Sequence, residues 1–151
     1  MAFAMAGQYA KKFAAISFTD IVGFSKMAGR DEALALELLD EHQEVVRPCI
    51  AQFGGREVKT IGDAFMVEFA APQPAVEWAV AVQGGLRDRN GSVPPDRVVN
   101  IRVGIHAGDV VQRGDDLFGD GVNIAARVEP QAPAGGVAVS GAVHDAVAGR
   151  I

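Results

Sequence analysis

Short apolar runs alternate with longer stretches of helical periodicity along this chain of 151 residues. The apolar run at 13–18 predicts a buried strand with Asp20 at its end. Between residues 30 and 53, apolar side chains recur with the spacing of one helix face. We expect Pro48 to kink or divide that helix, because proline lacks the amide hydrogen that a helix interior needs.

The middle of the chain predicts a hairpin and a second helix. Two short strands at 56–60 and 64–69 flank Ile61-Gly62-Asp63, so the hairpin carries an acidic residue at its turn. Pro74 is a favourable first residue for a helix that continues to Arg89. The remaining predictions are a loop at 90–96, a strand at 98–105 that continues at 110–112, a polar loop at 115–120, a helix at 121–129, a strand at 137–139 and a helix at 142–148 capped by Ser140.

This order of strand, helix, strand, strand, helix and strand is that of a ferredoxin-like βαββαβ core. The predicted fold class is therefore α+β, with an antiparallel sheet and its helices on one face. We expect residues 13–151 to form a single domain and residues 1–12 to be a poorly ordered leader.

Composition narrows the classes of function. The formal net charge is −5 and lysine and arginine are not clustered, which argues against a nucleic-acid-binding surface. No apolar run approaches the ~20 residues of a membrane-spanning helix, so no membrane segment is predicted. The single cysteine, Cys49, excludes an internal disulfide bond and fits a reducing compartment, which favours a cytoplasmic protein.

Two aspartates are candidate metal ligands. Asp20 ends the first strand and Asp63 lies at the hairpin, and these elements are neighbours in the predicted fold. Carboxylates held close together repel each other unless a cation lies between them. Mg²⁺ or Mn²⁺ suits such a site, because hard cations prefer oxygen ligands and also bind phosphates. For either aspartate alone, a turn or cap role is the commoner one, and their shared placement favours the metal site.

The segment that follows the first strand is a candidate phosphate-binding loop. A strand that turns through a glycine into a helix can direct successive backbone amides at an anion, although this pattern alone is weak. The residues concerned are Ile21, Val22, Gly23, Phe24 and Ser25.

Four segments resemble, in order, the signature segments of class III adenylate and guanylate cyclases. They are FTDIVGFSKM, VKTIGDAFMVEF, IRVGIHAGDV and LFGDGVNIAARVE, and together they cover most of the chain from 13 to 140. The resemblance implies the class III nucleotidyl cyclase fold and a signal-transduction enzyme. Its expected reaction converts ATP to 3′,5′-cyclic AMP and pyrophosphate with two divalent metal ions, Mg²⁺ or Mn²⁺.

The resemblance also implies a role for individual residues. In the family's pattern two domains pair head to tail as a homodimer, and each active site takes residues from both subunits. The implied roles are metal binding by Asp20, Asp63 and the backbone carbonyl of Ile21, purine recognition by Lys59 and Asp116, ribose orientation by Asn123, charge stabilisation on the reacting phosphate by Arg127, and a further phosphate contact by Arg102.

The purine pair favours ATP over GTP. An acceptor, Asp116, and a donor, Lys59, complement the donor and acceptor on the adenine edge. Guanylate cyclases instead carry glutamate and a smaller residue, often cysteine, at these positions. Asp115 is the alternative purine reader if the alignment of this acidic loop shifts by one residue, and the spacing back from Asn123 favours Asp116.

Several alternatives remain open at this point. Family members usually continue into a hairpin carrying a phosphate-binding lysine, which the sequence does not include, so a weak or inactive nucleotide-binding module is the main alternative. A guanylate cyclase is a second, and a diguanylate cyclase or polymerase palm is disfavoured by the missing GGDEF-type hairpin. His106 is interpreted as a structural strand residue, and His42 and His144 are expected on helix surfaces.

Overall fold

One six-stranded sheet organises residues 9–151, the part of the chain that the computed structural model describes. Its strands are β1 (Tyr9–Ile21), β2 (Arg56–Ile61), β3 (Ala64–Phe69), β4 (Ile101–Arg113), β5 (Asp116–Phe118) and β6 (Val137–Val139). The helices of this range are α1 (Phe24–Arg30), α2 (Glu32–Gln52), α3 (Pro72–Asn90), α4 (Asp120–Val128) and α5 (Gly141–Val147), with short 3₁₀ turns at Pro95–Arg97 and Glu129–Gln131. None of these helices is long and apolar enough to cross a membrane.

The sheet has the strand order β2-β3-β1-β4-β5, and all of these neighbours are antiparallel. β6 is the exception and pairs with β4 in parallel. The long strands β1 and β4 pair along their whole length, from Tyr9↔Arg113 to Ile21↔Ile101. The sheet curls so strongly that its edge strands β2 and β5 contact each other. This architecture confirms the α+β class III cyclase fold, including the expected neighbourhood of β1 and the β2–β3 hairpin.

Each face of the sheet carries its own apolar core. On one face α2, α3 and α5 pack against β3 and β4, and the largest side chains buried there include Trp78, Phe65 and Phe69. The long helices thus cover one face as predicted. The short helix α4 lies on the other face, where Ala125 packs with Ile16 and Met66. Its single buried stripe is too narrow to reveal from sequence which face it would cover.

Several boundaries differ from the predictions. β1 begins at Tyr9, so 9–12 belong to the sheet and not to a leader, whereas residues 1–8 lie outside the described part. α2 runs through Pro48 without being divided. The segment 116–118, predicted as loop, is strand β5, because its backbone pairs with the end of β4 across a turn at Gly114 with φ 60°. The helix α1 was not predicted at all.

Two side chains take partners that the sequence did not indicate. Ser140 occupies the position before α5 without capping it, and its hydroxyl instead lies 2.8 Å from Nδ1 of His106. This contact gives His106 the structural role predicted for it. His42 is fully buried rather than exposed on a helix surface, and it packs edge-on against Phe65.

Candidate functional site

The end of β1 and the turn of the β2–β3 hairpin meet at one point. Gly62 has φ 60°, a left-handed conformation that glycine adopts without strain, and it turns the chain so that Asp63 faces β1. The Oδ2 atom of Asp63 accepts a hydrogen bond of 2.7 Å from the backbone amide of Ile21. The structure therefore brings the Asp63 carboxylate to the residue that follows Asp20.

The two aspartates retain free oxygens that suit a cation. Oδ1 of Asp20 is buried, and no donor within residues 9–151 satisfies it. Buried polar atoms are nearly always paired, so an unpaired carboxylate oxygen fits a site that takes a ligand. Within the same residues no group of three or more His, Cys, Asp or Glu side chains is arranged as a metal site. The fitting ligand set is therefore Asp20, Asp63 and a backbone carbonyl, with remaining positions left to water and phosphate.

A third carboxyl group, Glu129, lies beside Asp20 and was missed in the sequence. It is only 8% exposed, in the turn that follows α4. Burial raises the pKa of Glu129 to about 8, and the hydrogen bond to Asp20 and that residue's charge raise it further in the same direction. Its position two residues after Arg127 was the available signal, but the predicted helix simply ended there.

The close approach of Glu129 to the sheet depends on Gly104 of β4. A Cβ atom at residue 104 would lie 2.3 Å from the Cα atom of Glu129. Real Cβ atoms do not come this close to backbone, so only glycine fits at this position. The glycine therefore determines where the turn after α4 sits relative to Asp20.

Arg102 lies next to this carboxyl group and is partly committed. It is the cross-strand neighbour of Asp20 in the β1–β4 pair. Its Nε donates a hydrogen bond of 3.0 Å to the carbonyl oxygen of Ala132, and its charge opposes the raised pKa of Glu129. Arg102 thus has a structural partner within the chain in addition to the phosphate contact expected for it.

The candidate phosphate-binding segment is also partly used inside the chain. The amide of Ile21 donates to Asp63, and the amide of Val22 donates to the carbonyl of Asn100 at 2.8 Å. Gly23 precedes α1 with φ 72°. The amides of the first turn of α1, which include Phe24 and Ser25, have no intrahelical acceptor, as at any helix start. Two of the five amides expected to face phosphate are therefore occupied.

The predicted purine pair joins the two edges of the curled sheet. Nζ of Lys59 in β2 lies 3.0 Å from Oδ2 of Asp116 in β5. The other Asp116 oxygen accepts a hydrogen bond of 2.8 Å from the amide of Leu117. The hydrogen bond from Lys59 lowers the pKa of Asp116, so this group is an ionised acceptor. The neighbouring Asp115 has an exposed side chain, and its backbone carbonyl instead bonds Arg56.

Asn123 and Arg127 lie one turn apart on α4. Both are exposed, and Nε of Arg127 contacts the backbone carbonyl of Asn123 at 3.4 Å. Among the hydrogen bonds of residues 9–151, none links either side chain to Asp20 or Asp63. The two groups of candidate residues therefore stand apart in one chain, with the α4 pair facing outward.

The chain matches known cyclases in sequence and in fold. The family model for the adenylate and guanylate cyclase catalytic domain covers residues 8–150. A relative from Rhizobium meliloti (strain 1021), named "Putative adenylate cyclase 3", is 43% identical over 93% of this chain and 24% of its own length. The serine/threonine-protein kinase pkn2 of Myxococcus xanthus is 32% identical over 85% of this chain and 16% of its own length.

A solved structure gives the same result. The crystal structure of an adenylate/guanylate cyclase/hydrolase from Silicibacter pomeroyi superposes with a TM-score of 0.88 at 34% identity, covering 95% of this chain and 84% of that chain. The chain thus spans less than a quarter of each curated relative but nearly the whole of the family's domain. With its sheet, its helices and its paired aspartates in that family's arrangement, this chain belongs to the adenylate and guanylate cyclase catalytic domain family.

Proposed function

We propose that this domain is an adenylate cyclase that converts ATP to 3′,5′-cyclic AMP and pyrophosphate. The observation that carries the choice of ATP is the contact between Lys59 and Asp116. Adenine presents an amine donor beside a ring-nitrogen acceptor, which an ionised carboxylate and an ammonium group complement. Guanine presents the reverse order and would place like groups against each other, so we infer that GTP is the poorer substrate.

The paired aspartates would hold two Mg²⁺ or Mn²⁺ ions, with the backbone carbonyl of Ile21 as a further ligand. When bound, such ions lower the pKa of the ribose 3′-hydroxyl and neutralise charge on the phosphates. The chain supplies the positioning, since the amide of Ile21 fixes the orientation of the Asp63 carboxylate. Arg127, a planar cation, would stabilise the charge that develops on the α-phosphate, and Asn123 would orient the ribose.

We infer that the working form is a head-to-tail homodimer with two composite sites. Asn123 and Arg127 are exposed and have no hydrogen bond to Asp20 or Asp63 within the described chain. In a dimer with twofold symmetry, each subunit contributes both halves of its residue set, so one complete chain yields two sites. We further propose a cytoplasmic setting, where ATP is available and Cys49 remains reduced.

A turnover assay with four conditions tests the reaction. Product is measured from ATP and from GTP, each with Mg²⁺ and with Mn²⁺, for the wild type and for Asp63→Ala. We expect cyclic AMP from the wild type and a loss of at least about 10²-fold in Asp63→Ala, as for removal of a catalytic electrostatic group. Cyclic AMP no higher than in the variant would overturn the enzyme proposal and leave a nucleotide-binding module.

The base preference is tested in the same assay with Lys59→Glu combined with Asp116→Cys. This double variant presents an acceptor and a small residue, so we expect the preference to move from ATP towards GTP by at least about tenfold. A variant that discriminates like the wild type would show that these two residues do not read the purine.

A further inference from the structure

The hairpin that carries Asp116 is held from both sides by a closed chain of polar contacts. Starting at the hairpin, Nε2 of Gln112 donates to the carbonyl of Gly114 at 3.0 Å, and Oε1 of Gln112 accepts from Nζ of Lys12 at 2.5 Å. Lys12 also pairs with Glu68 at 2.5 Å. Arg56 closes the circuit, which we call the hairpin ring after its members Lys12, Arg56, Glu68 and Gln112.

The closing residue, Arg56, bridges the two edges of the sheet. Its Nε donates to Oε1 of Glu68 at 2.9 Å, and its Nη1 donates to the backbone carbonyl of Asp115 at 2.9 Å. Asp115 immediately precedes Asp116. The ring therefore begins and ends on consecutive carbonyls of the hairpin, those of Gly114 and Asp115.

A bulge in β2 places both cations of the strand on one face. Arg56 is paired with Glu68 and Lys59 with Met66, and the register shifts between Glu57 and Lys59. Side chains three residues apart on a regular strand point to opposite faces, and an extra residue restores them to the same face. Arg56 and Lys59 therefore both reach the hairpin.

Burial makes the ring the firmer of these two connections. The Glu68 side chain is only 10% exposed and contacts both Lys12 and Arg56. A buried carboxylate that loses a partner is left uncompensated, so its partners are strongly held. The side chains of Lys59 and Asp116 are 41% and 35% exposed, and exposed ion pairs contribute little to stability. The purine pair cannot fix the hairpin by itself.

We propose that the hairpin ring positions the Asp116 carboxylate against Lys59 and so sets the selection of ATP over GTP. This inference rests on the proposed function, because it assumes that the two residues read the purine. Members of the ring act as positioning residues, since each acts through the hairpin and not through contact with the nucleotide.

The test is Glu68→Gln, which keeps the size of the side chain and removes its charge. We expect KM for ATP to rise and the ATP-over-GTP ratio of kcat/KM to fall, each by about tenfold, the equivalent of one hydrogen bond to a charged group. The value of kcat at saturating ATP should stay within about twofold, because the metal-binding and α4 residues are untouched.

The matched control is Glu57→Gln on the same strand. Glu57 pairs with Arg47 of α2 with the same Nε–Oε1 distance of 2.9 Å, but this pair has no contact with the hairpin. The control should keep the wild-type nucleotide ratio. If Glu68→Gln fails to fold, Arg56→Lys replaces it, since lysine keeps the charge but cannot bond Glu68 and Asp115 together.

Hydrogen exchange gives a readout that does not depend on activity. The amides of 113–117 should exchange faster in Glu68→Gln or Arg56→Lys than in Glu57→Gln. An unchanged nucleotide ratio overturns the proposal, and so does a changed ratio with unchanged exchange. If the wild type forms no cyclic nucleotide, the proposed function fails, and the exchange rates alone still accept or reject the anchoring of the hairpin.

Discussion

At the scale of single residues, burial changes the chemistry of side chains that look ordinary in sequence. His42 was expected on a helix surface, yet it is fully buried, with Nδ1 3.0 Å from the carbonyl of Leu39. Burial lowers the pKa of His42, while Asp63 and Arg47 act on it in opposite directions. Glu129 is a second example, a carboxyl group whose proton is retained because the fold buries it beside Asp20.

His42 should make stability depend on pH. Because the folded pKa lies below the unfolded value of about 6.5, the unfolded chain takes up a proton that the folded chain refuses as pH falls. The free energy of unfolding should therefore decrease below about pH 6.5, by at most about 1.4 kcal/mol per pH unit for this group.

The measurement is urea unfolding of the wild type and His42→Leu between about pH 7 and 5, the range around the ordinary histidine pKa. The variant should show a shallower slope than the wild type. His144→Gln is the control, because it removes an imidazole whose side chain is 70% exposed. Equal slopes in the wild type and His42→Leu would contradict the prediction.

At the scale of elements, long-range pairing overrides local pattern. β4 was predicted in two pieces, but it is one strand from Ile101 to Arg113 because β1 pairs with it throughout. β5 was predicted as loop for the converse reason, since three residues carry too little periodicity to indicate a strand. Glycines inside such strands mark positions where another part of the backbone comes close, as Gly104 does.

Gly104→Ala tests that close approach. The added methyl group would overlap the backbone of Glu129, so the turn after α4 must shift and the free energy of unfolding should fall by about 1–3 kcal/mol. Gly84→Ala on α3 is the matched control, because a Cβ there meets nothing within 4 Å. That substitution should stabilise the protein by up to about 1 kcal/mol through helix propensity. Chemical denaturation of both variants checks the prediction, which similar stabilities would refute.

At the scale of the whole molecule, the curl of the sheet decides which residues meet. β2 and β5 are opposite edges, yet Lys59 and Asp116 are in contact. The same geometry leaves Asn123 and Arg127 facing outward on α4. A second copy of the chain is the partner that the proposed mechanism requires.

Mixing two inactive variants tests this sharing of sites. In a dimer of Asp20→Ala with Arg127→Ala, one composite site lacks both residues and the other is intact. Random pairing should restore about a quarter of the wild-type activity, because half of the dimers are mixed and each has one working site of two. Each variant alone is the control. Mixed dimers that are shown to form by tandem affinity tags but make no product would exclude the shared site.

The sequence by itself determined the order of the main elements and the identity of the family, because strand and helix periodicities and four ordered segments are local features. It also indicated the pairing of β1 with the hairpin that carries Asp63. Only the tertiary structure decided that Glu129 is buried beside Asp20, that Arg102 and Val22 have partners inside the chain, and that Lys12 belongs to the fold. These outcomes depend on curl, register and burial, which bring together residues up to a hundred positions apart and leave no periodic trace in the sequence.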